Sequence, residues 1–462
     1  MRLYLILLFA AVLIFVPSLK YGFSQDDFIH LYHSRASSLQ DVINFFNPSN
    51  SYTDIFFYRP LTTQFYFFIN QLLFGINALP FRIEALVGHL VNGFLFYLIV
   101  RKLWQDELVA KLSAFLYTIS AAHFLSIYYI SAFQQIGKTF FIFISIWLFF
   151  KSSKKYYFLS ILSFILALLS KESALILPAV IILTELFMGE KDFFRNFKKN
   201  LLLISPFLFI LGLYLVIRLV GINQAFGQGE YRATFNLFEI LQNLKWYLLW
   251  SFGLPEIFSS FPSLSPVGII QIIKDLPVSF WIFCLFFATV FLLLKFMLQT
   301  TLNWKKITLS LLIFIAPLLP VLFLFQHRYP QYLDMSFLGL LPLITYLVIF
   351  NRGRKLFKFS FIFCFISLQL LSLHLSEQTH WTTHRSKVAT YYFDLFRTNH
   401  PIIEEGTTVF FIGAKEPARE LSIALAKHYS LAVWYPKKIK SVEYILEDIQ
   451  IDKKIIVPIT QF

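Results

Sequence analysis

The chain has 462 residues, of which 57% are hydrophobic, 19% are aromatic and only 14% are charged. A soluble domain usually carries about 25% charged residues, so this composition excludes a soluble enzyme of ordinary domains and predicts a polytopic membrane protein. The 40 lysines and arginines exceed the 26 aspartates and glutamates; such an excess belongs first to cytoplasmic loops, and we expect no nucleic-acid partner. Both cysteines, Cys284 and Cys364, lie in apolar runs, which provides neither a disulfide framework nor a metal-site spacing.

The apolar runs predict the membrane spans, since a bilayer crossing needs about 20 mostly apolar residues. Met1-Arg2 precedes the first run, but no small-residue cleavage site follows it, so a retained helix is predicted rather than a secretory signal. The third and fourth runs are short. The eleven predicted spans are 3–20, 83–100, 112–120, 139–150, 156–170, 174–188, 201–219, 277–294, 307–325, 334–350 and 359–375.

Basic residues predict the orientation of these spans, because cytoplasmic loops are enriched in lysine and arginine. With the N-terminus in the cytoplasm, the inner segments hold 18 such residues in 49 positions, whereas the outer loops hold 9 in 148 positions. This orientation places the C-terminal tail outside the cytoplasm. We expect a plasma membrane location, because the sequence carries no signal for an internal membrane.

The outer loops and the tail predict further elements beyond the spans. Aromatic, amphipathic segments at 36–48, 57–76 and 235–251 are typical of helices that lie along the membrane interface. From about residue 385 the composition changes, and the alternation of strand-like and helical segments predicts a small α/β unit. The sequence therefore predicts an all-α polytopic membrane core over 1–380 and a small extracytoplasmic α/β domain over 385–462. In that domain we predict strands at 407–412, 430–434 and 454–459 and helices at 416–428 and 441–448.

An adjacent acidic pair, Asp26-Asp27, follows the first span in a chain where acidic residues are scarce. A carboxylate at this outer surface can take a proton from an acceptor hydroxyl. The pair also offers oxygen ligands to a divalent cation, the one cofactor that the sequence suggests. A solvated helix cap is the alternative interpretation.

Five basic residues are predicted at the same outer surface. Charges next to apolar spans are costly and mark ion, proton or substrate paths, and an arginine fork suits a phosphate. Each alone is as readily a snorkelling or paired side chain, but together they favour a shared anionic ligand. They are Arg59 in Tyr58-Arg59-Pro60-Leu61, Arg82 before span two, Lys138 at the start of span four, Lys171 beside Glu172 between spans five and six, and Arg328 after span nine.

His89 and Asn92 lie on one face of span two, where a polar pair is more often an interhelical hydrogen bond than a catalytic group. The histidines elsewhere are too scattered to predict a metal site. The sequence contains no Gly-rich phosphate loop, zinc signature or Ser-His-Asp order. An activated donor, if there is one, is therefore not a soluble nucleotide held by such a loop.

In this order, the motifs resemble the C-type (GT-C) glycosyltransferases, integral-membrane enzymes that use polyprenyl-phosphate-linked sugars. Among them, the resemblance is to the protein O-mannosyltransferase branch, in particular to the transmembrane enzymes that carry tetratricopeptide repeats behind a similar core. The matching stretches are Gln25-Asp26-Asp27, Tyr58-Arg59-Pro60-Leu61, His89-Leu-Val-Asn92, Leu168-Leu-Ser-Lys171-Glu172-Ser173, and His327-Arg328-Tyr329 with Tyr332.

The chain also departs from that family. The family's His-Pro with a following Glu is replaced by His123-Phe-Leu-Ser-Ile-Tyr128, and its Gly-Arg-x-Asp element by Gln134-Gln-Ile-Gly-Lys138. His327 stands where an acidic residue commonly precedes the Arg-Tyr. A short α/β tail takes the place of the repeats. These differences leave the sugar and the acceptor open.

The resemblance implies a GT-C-like fold with about eleven spans and interfacial helices in the first outer loop. It implies transfer of mannose or another hexose from a polyprenyl-phosphate donor in the lipid bilayer to a hydroxyl on a protein, lipid or glycan acceptor, with inversion. Asp26 is then the base, and Asp27 orients the acceptor or holds a divalent cation. Arg59 and Arg328, followed by Arg82, Lys138 and Lys171, contact the phosphate. The supporting residues are Tyr58, His89, Asn92, Glu172 and Tyr329.

Two rival functions remain at this point. A ligase or polymerase that moves whole lipid-linked oligosaccharides is the rival among enzymes, although such proteins place their large outer loop late in the chain. A transporter or flippase is the rival from another class. It predicts paired broken helices and inverted repeats, which we do not detect in the sequence.

Overall fold

The computed structural model describes residues 9, 12–48, 57–151, 153–188, 197–221, 231–261, 265–300, 303–445 and 455–459. Helices dominate this part of the chain, joined by short 3₁₀ turns. The helices before the tail are α1 Asp26–His33, α2 Leu39–Asn44, α3 Tyr66–Phe74, α4 Ala78–Trp104, α5 Glu107–Ile119, α6 Phe124–Tyr128, α7 Phe133–Phe149, α8 Lys154–Ser170, α9 Leu177–Met188, α10 Phe197–Gly221, α11 Leu237–Ser251, α12 Pro266–Asp275, α13 Ser279–Gln299, α14 Trp304–Ile315, α15 Leu319–Leu322, α16 Leu333–Phe350 and α17 Lys355–Thr379.

The structure confirms a mostly helical, multi-pass membrane architecture. Seven helical segments in the described part are long and apolar enough to span a bilayer, and the pair α5–α6 makes an eighth if it is taken as one bent span. The runs predicted at 156–170 and 174–188 form α8 and α9, which have 17 and 12 residues. Most of the first predicted span, 3–20, lies outside the described residues. The seven segments are Ala78–Trp104, Ile130–Phe149, Leu201–Arg218, Ser279–Gln299, Trp304–Leu322, Pro330–Phe350 and Lys355–Thr379.

The third predicted span, 112–120, lies in α5, which ends at Ile119, and beyond Ser120 the chain bends by 45° into the helical segment Ala121–Tyr128. Ser120 is extended, with ψ of 130°, so the helical hydrogen bonds stop there. The freed N–H of Ala121 donates to Gln369 Oε1 of α17 at 2.9 Å, and Gln369 Nε2 donates to the Phe252 carbonyl at 3.0 Å. A break inside a membrane protein is tolerated because these side-chain partners satisfy the backbone.

Helix α16 is buried along nearly its whole length and packs against α5 and α14. The close approach to α14 occurs at Gly339, where an added Cβ would fall on the backbone of Ser310 and Phe314. Only a residue without a side chain fits between two helices at that separation.

We expect Gly339→Ala to destabilise the protein, because the methyl group meets backbone atoms that cannot rotate away. Overpacking of this kind typically costs about 1–3 kcal/mol. The measurement is the thermal unfolding midpoint of the purified protein in detergent. Gly212→Ala in α10 is the matched control, since no described atom lies within 4 Å of its Cβ position. Equal midpoints for the two variants would contradict the close approach of α14 and α16.

The C-terminal unit is a three-stranded parallel sheet with helices on it. Its elements are α18 Trp381–Asn399, β1 Thr407–Ile412, α19 Lys415–Ala424, α20 Tyr429–Trp434, β2 Ile439–Ile445 and β3 Ile455–Pro458, with strand order β2-β1-β3. Val409 of β1 pairs with Val442 and Ile455. The structure confirms the strand at 407–412. It corrects two predictions, because 430–434 is helical and 441–445 belongs to a strand.

The C-terminal unit shares an apolar core with the loop that precedes α4. Phe28 and Leu31 of α1 belong to the same buried cluster as Tyr392, Leu421 and Tyr429. Across this contact the Arg35 guanidinium donates to the carbonyls of Ala432, at 3.2 Å, and Val433. The boundary between a core over 1–380 and a domain over 385–462 stays a prediction, but the two parts are packed together.

Candidate functional site

A cavity of about 590 Å³ lies at the end of the helical bundle where α7 and α16 begin and α8 ends. It falls within the size range of small-molecule sites, roughly 300–1,000 Å³. Its walls are formed by the loop that precedes α4, the α6–α7 connection, the segment before α16 and the start of α18. The charged and imidazole side chains in its lining are Asp26, His30, Arg59, Lys171, His327 and Arg385, and the aromatic ones are Phe57, Tyr129, Tyr231, Tyr329, Tyr332 and Trp381.

Asp26 is the one carboxylate in the cavity lining among the described residues. It is the first residue of α1, and its N–H donates to the Tyr129 hydroxyl at 3.0 Å. The preceding residue, Gln25, has φ 51° and ψ −122°, a backbone conformation that residues other than glycine seldom adopt. Such a conformation costs about 1–3 kcal/mol and persists where surrounding contacts enforce it.

Asp27 is fully buried behind this wall and faces the protein interior. Its Oδ2 accepts from the Ser24 N–H at 2.9 Å, and its Oδ1 accepts from the N–H and hydroxyl of Ser131 at 2.7 and 2.5 Å. Because both oxygens are already engaged, Asp26 and Asp27 do not present a two-carboxylate metal site to the cavity. No group of three metal-ligating side chains occurs in the described part of the chain.

Burial raises the pKa of Asp27 to about 6, against the lowering effects of Arg82 and of the hydrogen bonds from Ser131 and Ser24. The folded protein thus binds this proton more tightly than the unfolded chain does. The contribution of Asp27 to stability is therefore greatest below its unfolded pKa, near 4, and is lost as the pH rises through 6. A rise of the pKa from 3.8 to about 6 corresponds to about 3 kcal/mol in the free energy of unfolding.

We expect Asp27→Asn to lose this pH dependence, measured as the unfolding midpoint in detergent between pH 4 and 8. The comparison with wild type is essential because burial, with Arg59 and His33 nearby, lowers the pKa of His30 to about 3. Below pH 6.5 the contribution of His30 to stability therefore rises with pH, whereas that of Asp27 falls. Identical pH profiles for wild type and variant would show that Asp27 does not titrate in this window.

Arg82 holds the same loop through hydrogen bonds to its backbone and does not line the cavity. It is buried, and it donates to three backbone carbonyls: Tyr21 at 3.2 Å, Gly22 at 2.9 Å and Ile127 at 3.4 Å. Together, Arg82 and Asp27 hold the loop that carries Asp26.

Arg59 lines the cavity and is followed by Pro60 and a π-helical turn, Leu61–Phe65, of a kind often found at functional sites. Its guanidinium forms a two-pronged ion pair with Glu172 and donates to Gln134 Oε1 at 2.5 Å. Glu172 also lies 3.7 Å from Arg218 Nη1. Burial by itself raises the pKa of Glu172, but the two arginines outweigh burial and hold that pKa below its usual range.

Lys171 contributes a buried cation to the cavity. Its side chain is 3% exposed, and its Nζ lies 4.8 Å from the centre of the Tyr332 ring. Among the described residues, no carboxylate lies within ion-pair distance of this Nζ. Burial, with Arg59 as the next cause, lowers the pKa of Lys171 well below its usual range. A buried amine of this kind is stabilised by an anionic ligand.

Lys138 and Arg328 lie outside the cavity lining. Lys138 of α7 forms a buried ion pair with Asp334 of α16 at 3.2 Å, and Gln135 and Thr139 also donate to that carboxylate. Arg328 lies over the ring of Phe325.

Of the residues that the resemblance implies as supporting the site, three bond other parts of the scaffold and two act at the cavity. His89 Nε2 bonds the Thr118 carbonyl at 2.9 Å, Asn92 donates to the Ile136 carbonyl at 3.0 Å, and the Tyr58 hydroxyl donates to the Phe46 carbonyl at 2.7 Å. These three residues join elements of the scaffold. Glu172 orients Arg59, and Tyr329 lines the cavity.

Sequence reasoning missed several residues that the structure brings to this region. Trp381 and Arg385 follow the last span, and Arg218 lies near the end of another. The sequence did contain a signal for Arg218, because an arginine within or beside an apolar run is unusual. It was absent for Trp381 and Arg385, because their approach depends on how the tail folds back.

No protein-family model matches the chain, and no curated protein is similar to it in sequence. Among solved structures, the chain is similar to the archaeal oligosaccharyltransferase AglB of Archaeoglobus fulgidus in complex with an inhibitory peptide and a dolichol-phosphate. The identity is 12% and the TM-score 0.43, over 95% of this chain and 69% of that one. A second match is the apo form of an oligosaccharyltransferase of the same organism, at 13% identity and TM-score 0.41, over 95% and 64% of the two chains. At these scores the likeness assigns neither a family nor an activity.

Proposed function

We propose that this chain is an integral-membrane glycosyltransferase of the GT-C type, which transfers one hexose from a polyprenyl phosphate to an acceptor hydroxyl. The supporting observation is the composition of the cavity. Asp26, the one carboxylate among the described lining residues, shares the cavity with the buried Lys171 and with Arg59, and aromatic rings form much of the remaining wall. Mannose is the first candidate sugar by the sequence resemblance.

The chemistry of the donor explains why one carboxylate is enough. When the bond between the anomeric carbon and the phosphate oxygen breaks, its electrons leave with an already acidic phosphate, so no general acid is required. The acceptor oxygen attacks the anomeric carbon, and its proton passes to Asp26. One displacement inverts the configuration, unlike the two-step reaction of retaining glycosidases.

The cations take separate roles in this proposal. Lys171 and Arg59 stabilise the negative charge of the departing phosphate, and Glu172 holds the Arg59 fork in place. Arg82, Asp27 and Lys138 support the scaffold, because each of them is paired away from the cavity. Arg328 is outside the cavity lining, next to Tyr329 in the wall, and its contact with the donor phosphate stays a prediction from the sequence resemblance.

The aromatic rings suit the sugar portion. Tyr129, Trp381 and Tyr332 give flat apolar surfaces with polar edges, which pack on the C–H faces of a hexose while its hydroxyls find polar partners. We propose that the reaction takes place at the extracytoplasmic face of the plasma membrane, with the N-terminus in the cytoplasm and the C-terminal unit outside. The acceptor is a hydroxyl on a protein, a lipid or a glycan.

The experiment uses purified protein in nanodiscs, incubated with membrane extract and polyprenyl-phosphate hexoses labelled in the sugar, mannose first. We expect label to leave the lipid in the presence of protein and not with empty nanodiscs. A polyprenyl-diphosphate oligosaccharide is the second donor, and its discharge alone would identify a ligase. Labelled lipid that crosses a sealed vesicle membrane intact would identify a flippase instead.

A further inference from the structure

The C-terminal unit supplies part of the cavity wall. Trp381 and Arg385, both in the first turns of α18, line the cavity beside Gln25 and Asp26. The Arg385 guanidinium lies 5.1 Å from the centre of the Trp381 ring, and that ring meets the Tyr129 ring at 5.3 Å. The site is therefore built from both ends of the chain.

Two hydrogen bonds from the C-terminal unit end on Gln25. Its backbone N–H donates to the carbonyl of Ala424, the last residue of α19, at 2.8 Å. Its side-chain Oε1 accepts from Arg385 Nη1, also at 2.8 Å. The backbone and the side chain of one residue are thus both held by elements that lie far away in sequence.

Arg385 is itself held by Glu420 of α19. Arg385 Nε donates to Glu420 Oε1 at 2.7 Å, and Nη2 donates to Oε2 at 3.3 Å. A two-pronged pair of this kind fixes the plane of the guanidinium as well as its position. The remaining nitrogen, Nη1, is thereby aimed at Gln25.

These contacts act on the residue whose backbone conformation is least favourable in this loop. With φ of 51° and ψ of −122°, Gln25 is expected to relax once its partners are removed. Asp26 is the next residue and begins α1. A change in the Gln25 dihedral angles therefore moves the Asp26 carboxylate relative to the cavity.

We propose that Arg385 and Glu420 are positioning residues which, with the Ala424 carbonyl, hold Gln25 and so fix Asp26 towards the reacting hydroxyl. We call these four residues, Gln25, Arg385, Glu420 and Ala424, the C-terminal clamp. The inference rests on the proposed role of Asp26 as base. It makes the C-terminal unit a part of the active site rather than an appendage.

The test compares Arg385→Ala and Glu420→Gln with wild type by kinetics and by amide hydrogen exchange of residues 22–33. Misplacement of a reacting group by about 1 Å can cost about 10²-fold in rate, so we expect kcat to fall by about 10- to 100-fold while the apparent affinity for the donor is little changed. Exchange at residues 24–28 should become faster. Arg385→Lys, which keeps a donor near Gln25, should recover part of the loss. Arg419→Ala is the matched control and should behave as wild type, because Arg419 is exposed on α19 next to Glu420.

Several outcomes would overturn the clamp. Unchanged kcat and unchanged exchange in both variants would do so, and so would a loss of donor affinity at constant kcat, which makes Arg385 a donor contact. Should Arg385→Ala fail to fold, Gln25→Ala decides, since it removes the acceptor and keeps the Arg385–Glu420 pair; wild-type kcat and exchange in that variant refute the clamp. Hydrogen exchange does not require turnover. If wild type discharges no donor, the proposed function fails, while exchange at residues 22–33 still decides whether the clamp exists.

Discussion

Asp26→Asn is expected to abolish sugar transfer while the protein still inserts and folds. The amide has nearly the shape of the carboxylate, and the hydrogen bond from the backbone of residue 26 to Tyr129 does not involve the side chain that is changed. Loss of a general base typically costs about 10²–10⁴-fold in rate. The measurement is release of labelled sugar from polyprenyl phosphate at saturating donor.

The control for this prediction is Asp394→Asn, an exposed aspartate on α18 that does not line the cavity. It should transfer sugar at the wild-type rate. Donor binding should also be close to normal in Asp26→Asn, because the proposed phosphate contacts, Arg59 and Lys171, are unchanged in this variant. Substantial turnover by Asp26→Asn would remove Asp26 from the role of base.

Lys171→Met is expected to give the second largest effect, because it removes the buried cation assigned to the phosphate and keeps a side chain of similar length. Loss of a single group that stabilises charge in a transition state typically costs about 10²–10³-fold in kcat. We expect weaker donor binding as well, since the phosphate already carries its charge before the reaction. The readouts are kcat and the donor concentration at half-maximal rate. Lys154→Met, at the opposite end of α8, is the exposed control and should leave both unchanged.

Lys171→Arg separates charge from other effects. Burial lowers the pKa of Lys171, and a bound phosphate favours the charged form of the amine, so donor affinity should fall as the pH rises. A guanidinium keeps its proton throughout this range, so the arginine variant should lose that decline. If donor affinity is independent of pH in wild type, or if it declines equally in Lys171→Arg, Lys171 is not the group that neutralises the phosphate.

The membrane helices could be predicted because their signal is local. A bilayer of fixed thickness demands a long apolar run. Such runs at 83–100, 201–219 and 359–375 lie within helices of the structure, and the run at 277–294 does so from Ser279 onwards. The short elements of the tail lack such a signal. Residues 430–434 and 441–448 are short segments that contain only a few apolar residues, a pattern that helices and strands can both use. Packing against β1 and α1 decides between the two.

The site was predictable in its residue types and not in its arrangement. Sequence alone indicated the Asp26-Asp27 pair, Arg59 and Lys171, because charged residues beside apolar spans are rare and costly. It could not tell which of two adjacent carboxylates faces the cavity, since this depends on Ser131, more than a hundred residues away. Nor could it tell that Lys138 is paired with Asp334.

The sequence by itself thus determined that the chain crosses a membrane many times and carries an acidic pair and several cations near the ends of its spans. Both follow from the free energy of placing apolar and charged groups in or beside lipid. Only the tertiary structure decided which of these basic residues line the cavity, and that the C-terminal unit reaches back to Gln25. Ion pairs and hydrogen bonds between distant segments depend on distances that the folded chain sets, and residue order does not encode those distances locally.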